Sequence, residues 1–103
     1  AADHAQAEAS RLGVDYLPSV ESLLASGVDG LVIATGTATH PELIRVGVDA
    51  GIPVFCEKPV AMSVAEALPV LDYVRDQRGV VQIGHQRRFD VGYLEAKRAY
   101  QAG

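Results

Sequence analysis

The sequence predicts an α/β fold built on a doubly wound parallel sheet. Short apolar runs, LVIAT (31–35), PVFCE (53–57) and VVQIG (80–84), alternate with longer helical patterns. Within each run the apolar residues are near-continuous rather than alternating, the mark of strands covered on both faces. The stretches between them carry helix start and stop signals, and strands joined by helices make right-handed crossovers in a parallel sheet.

The elements follow in order. HAQAEASRLG (4–13) reads as an alanine-rich helix ended by Gly13, and VDYL (14–17) as a short edge strand at most. SVESLLASG (19–27) is a short helix after Pro18. LVIAT is the first strongly apolar strand. In THPELIRVGVDAG, Thr39 is placed to cap a helix, Pro41 falls in its first turn, Glu42 lies three after the threonine, and Gly51 is the stop. PVFCE is the next strand. SVAEALPVLDYVRDQRG opens with a Ser63–Glu66 capping box and predicts an apolar face of Val64, Ala67, Leu68, Leu71 and Val74. Pro69 removes a hydrogen bond to residue 65 inside that helix, so a bend or break is expected there. After VVQIG, the stretch from Asp90 to Gly103 predicts a last helix that packs through Val91, Leu94 and the stems of Ala99 or Arg98.

Composition narrows the function classes. With 103 residues, 49% hydrophobic and 21% charged, the chain reads as one globular domain or a piece of one. A net charge of −4 argues against nucleic acid as a partner. No apolar run reaches the length of a membrane span, so no membrane partner is expected. The single cysteine, Cys56, excludes an internal disulfide and fits a reducing, cytoplasmic location. His4, His40, His85 and Cys56 show no metal-ligand spacing, so no metal is expected. His4 reads as a solvated residue on a polar helix, and Cys56 as packing within a buried strand.

Ligands of doubly wound folds bind outside the carboxyl ends of the strands. That rule selects Asp3, Thr35 to His40, Glu57 to Pro59, and His85 to Arg88. Lys58 stands out, being one of two lysines in a chain that otherwise relies on arginine. Lysine, unlike arginine, can give up its proton when desolvated, so a strand-end lysine suits general acid–base work or a bond to a substrate hydroxyl. The plainer alternative is a surface salt bridge with Glu57. Against it, adjacent strand residues point to opposite faces, and Pro59 biases Lys58 away from helical angles. His40 could equally cap a helix, and Asp3 could do the same.

VFCEKPVA, preceded by VIATGTATH and followed by VQIGHQRRFDVGY, resembles the Gfo/Idh/MocA oxidoreductases and, among them, the inositol 2-dehydrogenases. The likeness covers the chain from Asp3 to about Tyr93. It implies a Rossmann domain over residues 1–84, with residues 85–103 as the last loop and helix leading toward a C-terminal α+β substrate domain. It implies NAD, with NADP less favoured, and hydride transfer between a cyclic polyol or sugar hydroxyl and the nicotinamide. The catalytic residue implied is Lys58, which with Arg87 also binds substrate. The cofactor contacts implied are Asp3 at the end of the second strand, Thr35, Gly36, Thr37, His40, Glu57, Lys58, Pro59, Gln86 and Arg87. Arg88 is expected to pair with Asp90 or the following helix.

Gly36 and Thr37 stand where the family commonly has proline and asparagine, and His85 where it commonly has phenylalanine. No glycine-rich turn precedes Asp3 and no second domain follows, so the chain is expected to be a piece cut at both ends, neither folding well nor turning over alone. The parent would be a homo-oligomer through its C-terminal domain. A non-catalytic sugar-sensing regulator and an NAD-dependent glycosidase are alternative functions within the same family.

Overall fold

Three parallel strands form one sheet in chain order: β1 (Leu31–Ile33), β2 (Val54–Cys56) and β3 (Val81–Ile83). The structure is a computed structural model that describes residues 2–103. Around the sheet run α1 (Ala2–Leu12), α2 (Val20–Ala25), α3 (His40–Asp49), α4 (Val64–Asp76) and α5 (Val91–Ala102). Ile33 pairs with Cys56 and Cys56 with Ile83, so the three strands end level. The ladder runs one step further, with Glu57 N–H donating to Ile33 C=O at 2.9 Å and Gly84 N–H to Cys56 C=O at 2.8 Å.

The core lies on one side of the sheet. Leu31, Ile33, Val54 and Cys56 pack against Ile44 and Val48 of α3 and Val70 of α4. Each such aliphatic side chain, fully buried, contributes about 1.5–3 kcal/mol. Gly47 lets α3 lie this close, because a Cβ there would run into Val54 Cγ2 and stand 3.3 Å from Leu31 Cδ2. On the other side of the sheet Val32 is 71% exposed and Phe55 39%. The near-continuous apolar runs predicted cover on both faces; among the described residues only the face under α3 and α4 is covered.

Other expectations are corrected. Residues 14–17 form no strand: Val14 N–H donates to Ala9 C=O at 3.0 Å, closing the end of α1 beside Gly13 at φ +69°. Asp3 lies in the first turn of α1 rather than at a strand end. Thr39 does not cap α3 with its side chain, because the preceding 3-10 turn, Thr37–Thr39, already holds it at helical angles. The Ser63–Glu66 box is half formed: Ser63 Oγ accepts from Glu66 N–H, while the Glu66 carboxylate accepts from Met62 N–H at 3.2 Å. Helix α4 runs unbroken through Pro69. Its buried line is Val70 with Ala67, Tyr73 and Val74 partly covered, leaving Leu68 and Leu71 exposed. Helix α5 touches mainly the turn before it and buries no residue, so the expected packing side has no partner among the described residues. This extension helps to make the radius of gyration 16.7 Å, against about 13 Å for a compact chain of this length.

A polar clamp ties α4 to α3. The Tyr73 hydroxyl donates to the Asp49 carboxylate, and the Arg45 guanidinium lies 5.5 Å from the centre of the Tyr73 ring. The bond to Asp49, followed by burial and the carboxylate charge, raises the Tyr73 pKa above its usual value. A raised folded-state pKa means that the clamp stabilises fully below about pH 10 and is lost as pH climbs through the folded value. Tyr73→Phe is therefore expected to lower the urea midpoint at neutral pH and to flatten its decline above about pH 10. A pH series of urea melts on the full-length protein checks both signs. An unchanged alkaline slope would assign that decline to other groups.

Candidate functional site

Level strand ends place three loops side by side: Thr35–Thr39 after β1, Glu57–Pro59 after β2, and Gly84–Arg88 after β3. Thr35, Lys58 and His85 each stand two residues beyond the last residue of their strand. The first loop is bound to itself: the Thr35 and Thr39 hydroxyls are 2.6 Å apart, and Thr39 Oγ1 donates to Gly36 C=O at 2.8 Å. The third turns sharply, with His85 N–H donating to Ile83 C=O at 2.8 Å before the 3-10 turn Gln86–Phe89.

Glu57 and Lys58 are divided by the pleat. Glu57 follows Phe55 onto the uncovered face, and both reach over Gly84, where a Cβ would stand 3.0 Å from Phe55 Cζ and 3.4 Å from Glu57 Oε2. There Phe55, Glu57, Gln86 and Phe89 line part of a cavity of about 280 Å³. Lys58 lines a different cavity of about 170 Å³, with His85, Gln86, Arg87 and Arg88. Among the described residues Lys58 forms no ion pair, so the surface salt bridge with Glu57 is absent.

Among the described residues Arg87 and Arg88, beside Lys58, form no ion pair either. Arg87 donates to the Tyr93 hydroxyl at 2.8 Å with its guanidinium carbon 5.0 Å from the ring centre, which holds the side chain still. Of the two partners expected for Arg88, Asp90 is taken up in capping α5, its carboxylate accepting from Tyr93 N–H at 3.2 Å, while the following helix, α5, does lie beside it. Arg87, Arg88 and Lys97 share a cavity of about 500 Å³ with Tyr93 and Leu94. Such a cluster, with no carboxylate in its lining, suits an anionic ligand group.

His40 is 1% exposed, with Nδ1 2.7 Å from Pro59 C=O and Nε2 3.2 Å from Thr35 C=O. The Lys58–Pro59 peptide is cis. Beneath the site Cys56 is fully buried; burial first, and the Glu57 carboxylate second, push its thiol pKa up, leaving it protonated and inert. Asp3 stands apart, exposed on α1, with no hydrogen bond among the described residues linking it to the three loops. The structure thus gathers Thr35, Gly36, Thr37, His40, Glu57, Lys58, Pro59, Gln86 and Arg87 at one edge and leaves Asp3 outside that group. Sequence reasoning missed Tyr93 as the support of Arg87 and Lys97 as a member of the cation cluster. The helical spacing of Tyr93 and Lys97, four residues apart, is the signal that places both on one side of α5.

Among the described residues no three His, Cys, Asp or Glu side chains converge to hold a metal, and no helix is long and apolar enough to cross a membrane.

Residues 1–85 match the sequence profile of the oxidoreductase family with an NAD-binding Rossmann fold, GFO_IDH_MocA. Inositol 2-dehydrogenase 1 of Saccharopolyspora erythraea is 41% identical over 98 residues, covering 94% of this chain and 29% of its own length. Among solved structures, the UDP-N-acetylglucosamine 3-dehydrogenase GnnA of Acidithiobacillus ferrooxidans superposes with a TM-score of 0.81 at 32% identity, over 95% of this chain and 32% of that one. The myo-inositol 2-dehydrogenase of Lactobacillus plantarum superposes with a TM-score of 0.80 at 28% identity, over 92% and 29% respectively. The chain therefore spans under a third of the length of these relatives.

Proposed function

The chain belongs to the Gfo/Idh/MocA oxidoreductase family, and from that premise we propose that the protein carrying it is an NAD-dependent dehydrogenase of a cyclic polyol or sugar hydroxyl. The observation that carries the reading is Lys58: a lysine with no ion pair among the described residues, at the carboxyl end of the middle strand, lining a cavity with His85, Gln86, Arg87 and Arg88. The dinucleotide, when bound, supplies the hydride acceptor. The donors at the edge fit its polar groups: the Thr35 and Thr37 hydroxyls, the Gln86 amide and the Arg87 guanidinium are all suited to ribose or phosphate oxygens.

In the proposed reaction Lys58 orients the substrate hydroxyl and takes its proton as the hydride leaves the same carbon, so the alcohol becomes a carbonyl. Arg87, steadied by Tyr93, holds a neighbouring substrate oxygen. NAD is preferred over NADP on the family likeness alone, because Asp3 lies on α1, apart from the three loops. The cation cavity favours a second reading of the substrate, a sugar phosphate or nucleotide sugar whose anionic group meets Arg87, Arg88 and Lys97.

The test is formation of NADH or NADPH, followed by absorbance, when the full-length protein is offered NAD or NADP with myo-inositol, its isomers, common aldoses, sugar phosphates and nucleotide sugars. Turnover of a neutral polyol supports the first reading, and turnover confined to anionic sugars the second. NADH binding without turnover of any compound sinks both, and leaves the regulator or the glycosidase as the better account.

A further inference from the structure

We infer that His40 is a positioning residue for Lys58: its buried ring fastens the turn that carries the lysine to the loop after β1. The inference rests on the dehydrogenase reading only for what Lys58 does. His40 is the one buried polar side chain among the described residues. A polar ring stays in such a place only when it is hydrogen-bonded, because an unbonded buried polar group is costly. Here both nitrogens face protein carbonyls, Pro59 at 2.7 Å and Thr35 at 3.2 Å. The shorter contact assigns Nδ1 as the donor to Pro59. Nε2, then unprotonated, turns its lone pair toward the Thr35 carbonyl oxygen and makes no hydrogen bond with it, so the bond to Pro59 is the one anchor of the ring.

The place of the two carbonyls gives the clasp its consequence. After Glu57 N–H completes the sheet ladder, the next backbone N–H with a partner is that of Met62. Between them, among the described residues, the one hydrogen bond reaching Lys58 to Ala61 is the bond from His40 to Pro59. Burial of Ala61 adds packing but no direction. On the other side, Thr35 belongs to a loop already stiffened by its bond to Thr39. Standing directly after Thr39, the ring thus ties the turn that carries Lys58 to the loop after β1.

The test uses the full-length protein with His40→Phe, which keeps an aromatic ring and removes both contacts, and His40→Asn, whose amide nitrogen can replace Nδ1 toward Pro59. For the phenylalanine variant the expected result is a kcat loss of about tenfold to hundredfold, the scale of a misplaced catalytic group, with the NADH Kd little changed. His40→Asn is expected to recover most of that kcat. A raised NADH Kd with kcat intact at saturation would overturn the inference in favour of direct cofactor contact. An asparagine variant no better than phenylalanine would reduce the ring to packing.

Should the variants not fold, NMR of the unmodified protein decides: the expected Nδ1–H exchanges slowly with solvent and does not shift when NADH is added. A fast-exchanging or NADH-shifted ring proton overturns the clasp. A protein that binds no NADH and turns over no alcohol sinks the dehydrogenase reading alone, while the slow ring proton still reports the clasp.

Discussion

Lys58→Met is expected to remove about 10²–10⁴-fold of NADH formation by the full-length protein while NADH still binds. Methionine keeps most of the length of the side chain and its apolar stem but has no proton acceptor. The loss should therefore appear in kcat. Lys58 has no ion pair among the described residues, so its removal strands no buried partner, and the fold has little reason to change. Steady-state turnover and NADH titration on the same preparation separate the outcomes. Full activity in the variant would remove Lys58 from the mechanism, and joint loss of binding and activity would make it a cofactor contact first.

Gly47→Ala is expected to destabilise by about 1–3 kcal/mol, the ordinary cost of overpacking. The sign is the informative part. In an open helix interior the same change stabilises by about 0.5–1 kcal/mol, because alanine has less backbone freedom to lose. Here the new Cβ would collide with Val54 Cγ2 and press on Leu31 Cδ2, both in strands under α3. Urea unfolding of the full-length protein reads the difference. Combining Gly47→Ala with Val54→Ala is expected to cost less than the two separately, since the second change clears the space the first one needs. A stabilised Gly47→Ala would mean that α3 stands further from the sheet.

Much of this architecture is legible along the chain because its causes are local. The apolar runs around Leu31, Val54 and Val81 announce the strands, and they pair in parallel in chain order. Gly13 and Gly51 take positive φ at the helix ends where they were expected. Ser63 caps α4 as its position predicts. Where the reading departs, the deciding contact is distant. Leu68 and Leu71 look like core on a helical wheel, yet α4 turns Val70 to the sheet. Pro69 lacks its hydrogen bond, but the cap before it and the burial of Val70 after it keep the helix whole. The hydrophobic residues of 14–17 suggested a strand, and the end of α1 took up the N–H of Val14.

The fold class, the three strands, and a lysine between a glutamate and a proline at the end of the middle one can all be read from the order of residues. Periodicities and caps act over a few residues, so they are written in the order of residues. The folded chain alone reveals that Glu57 and Lys58 line different cavities. It also reveals that Tyr73 reaches Asp49, 24 residues away, and that His40 reaches Pro59, 19 residues away. The reason is physical: the crossovers of a parallel sheet lay α3 beside α4 and its level strand ends bring their loops together, and no local pattern encodes which distant group a side chain will meet.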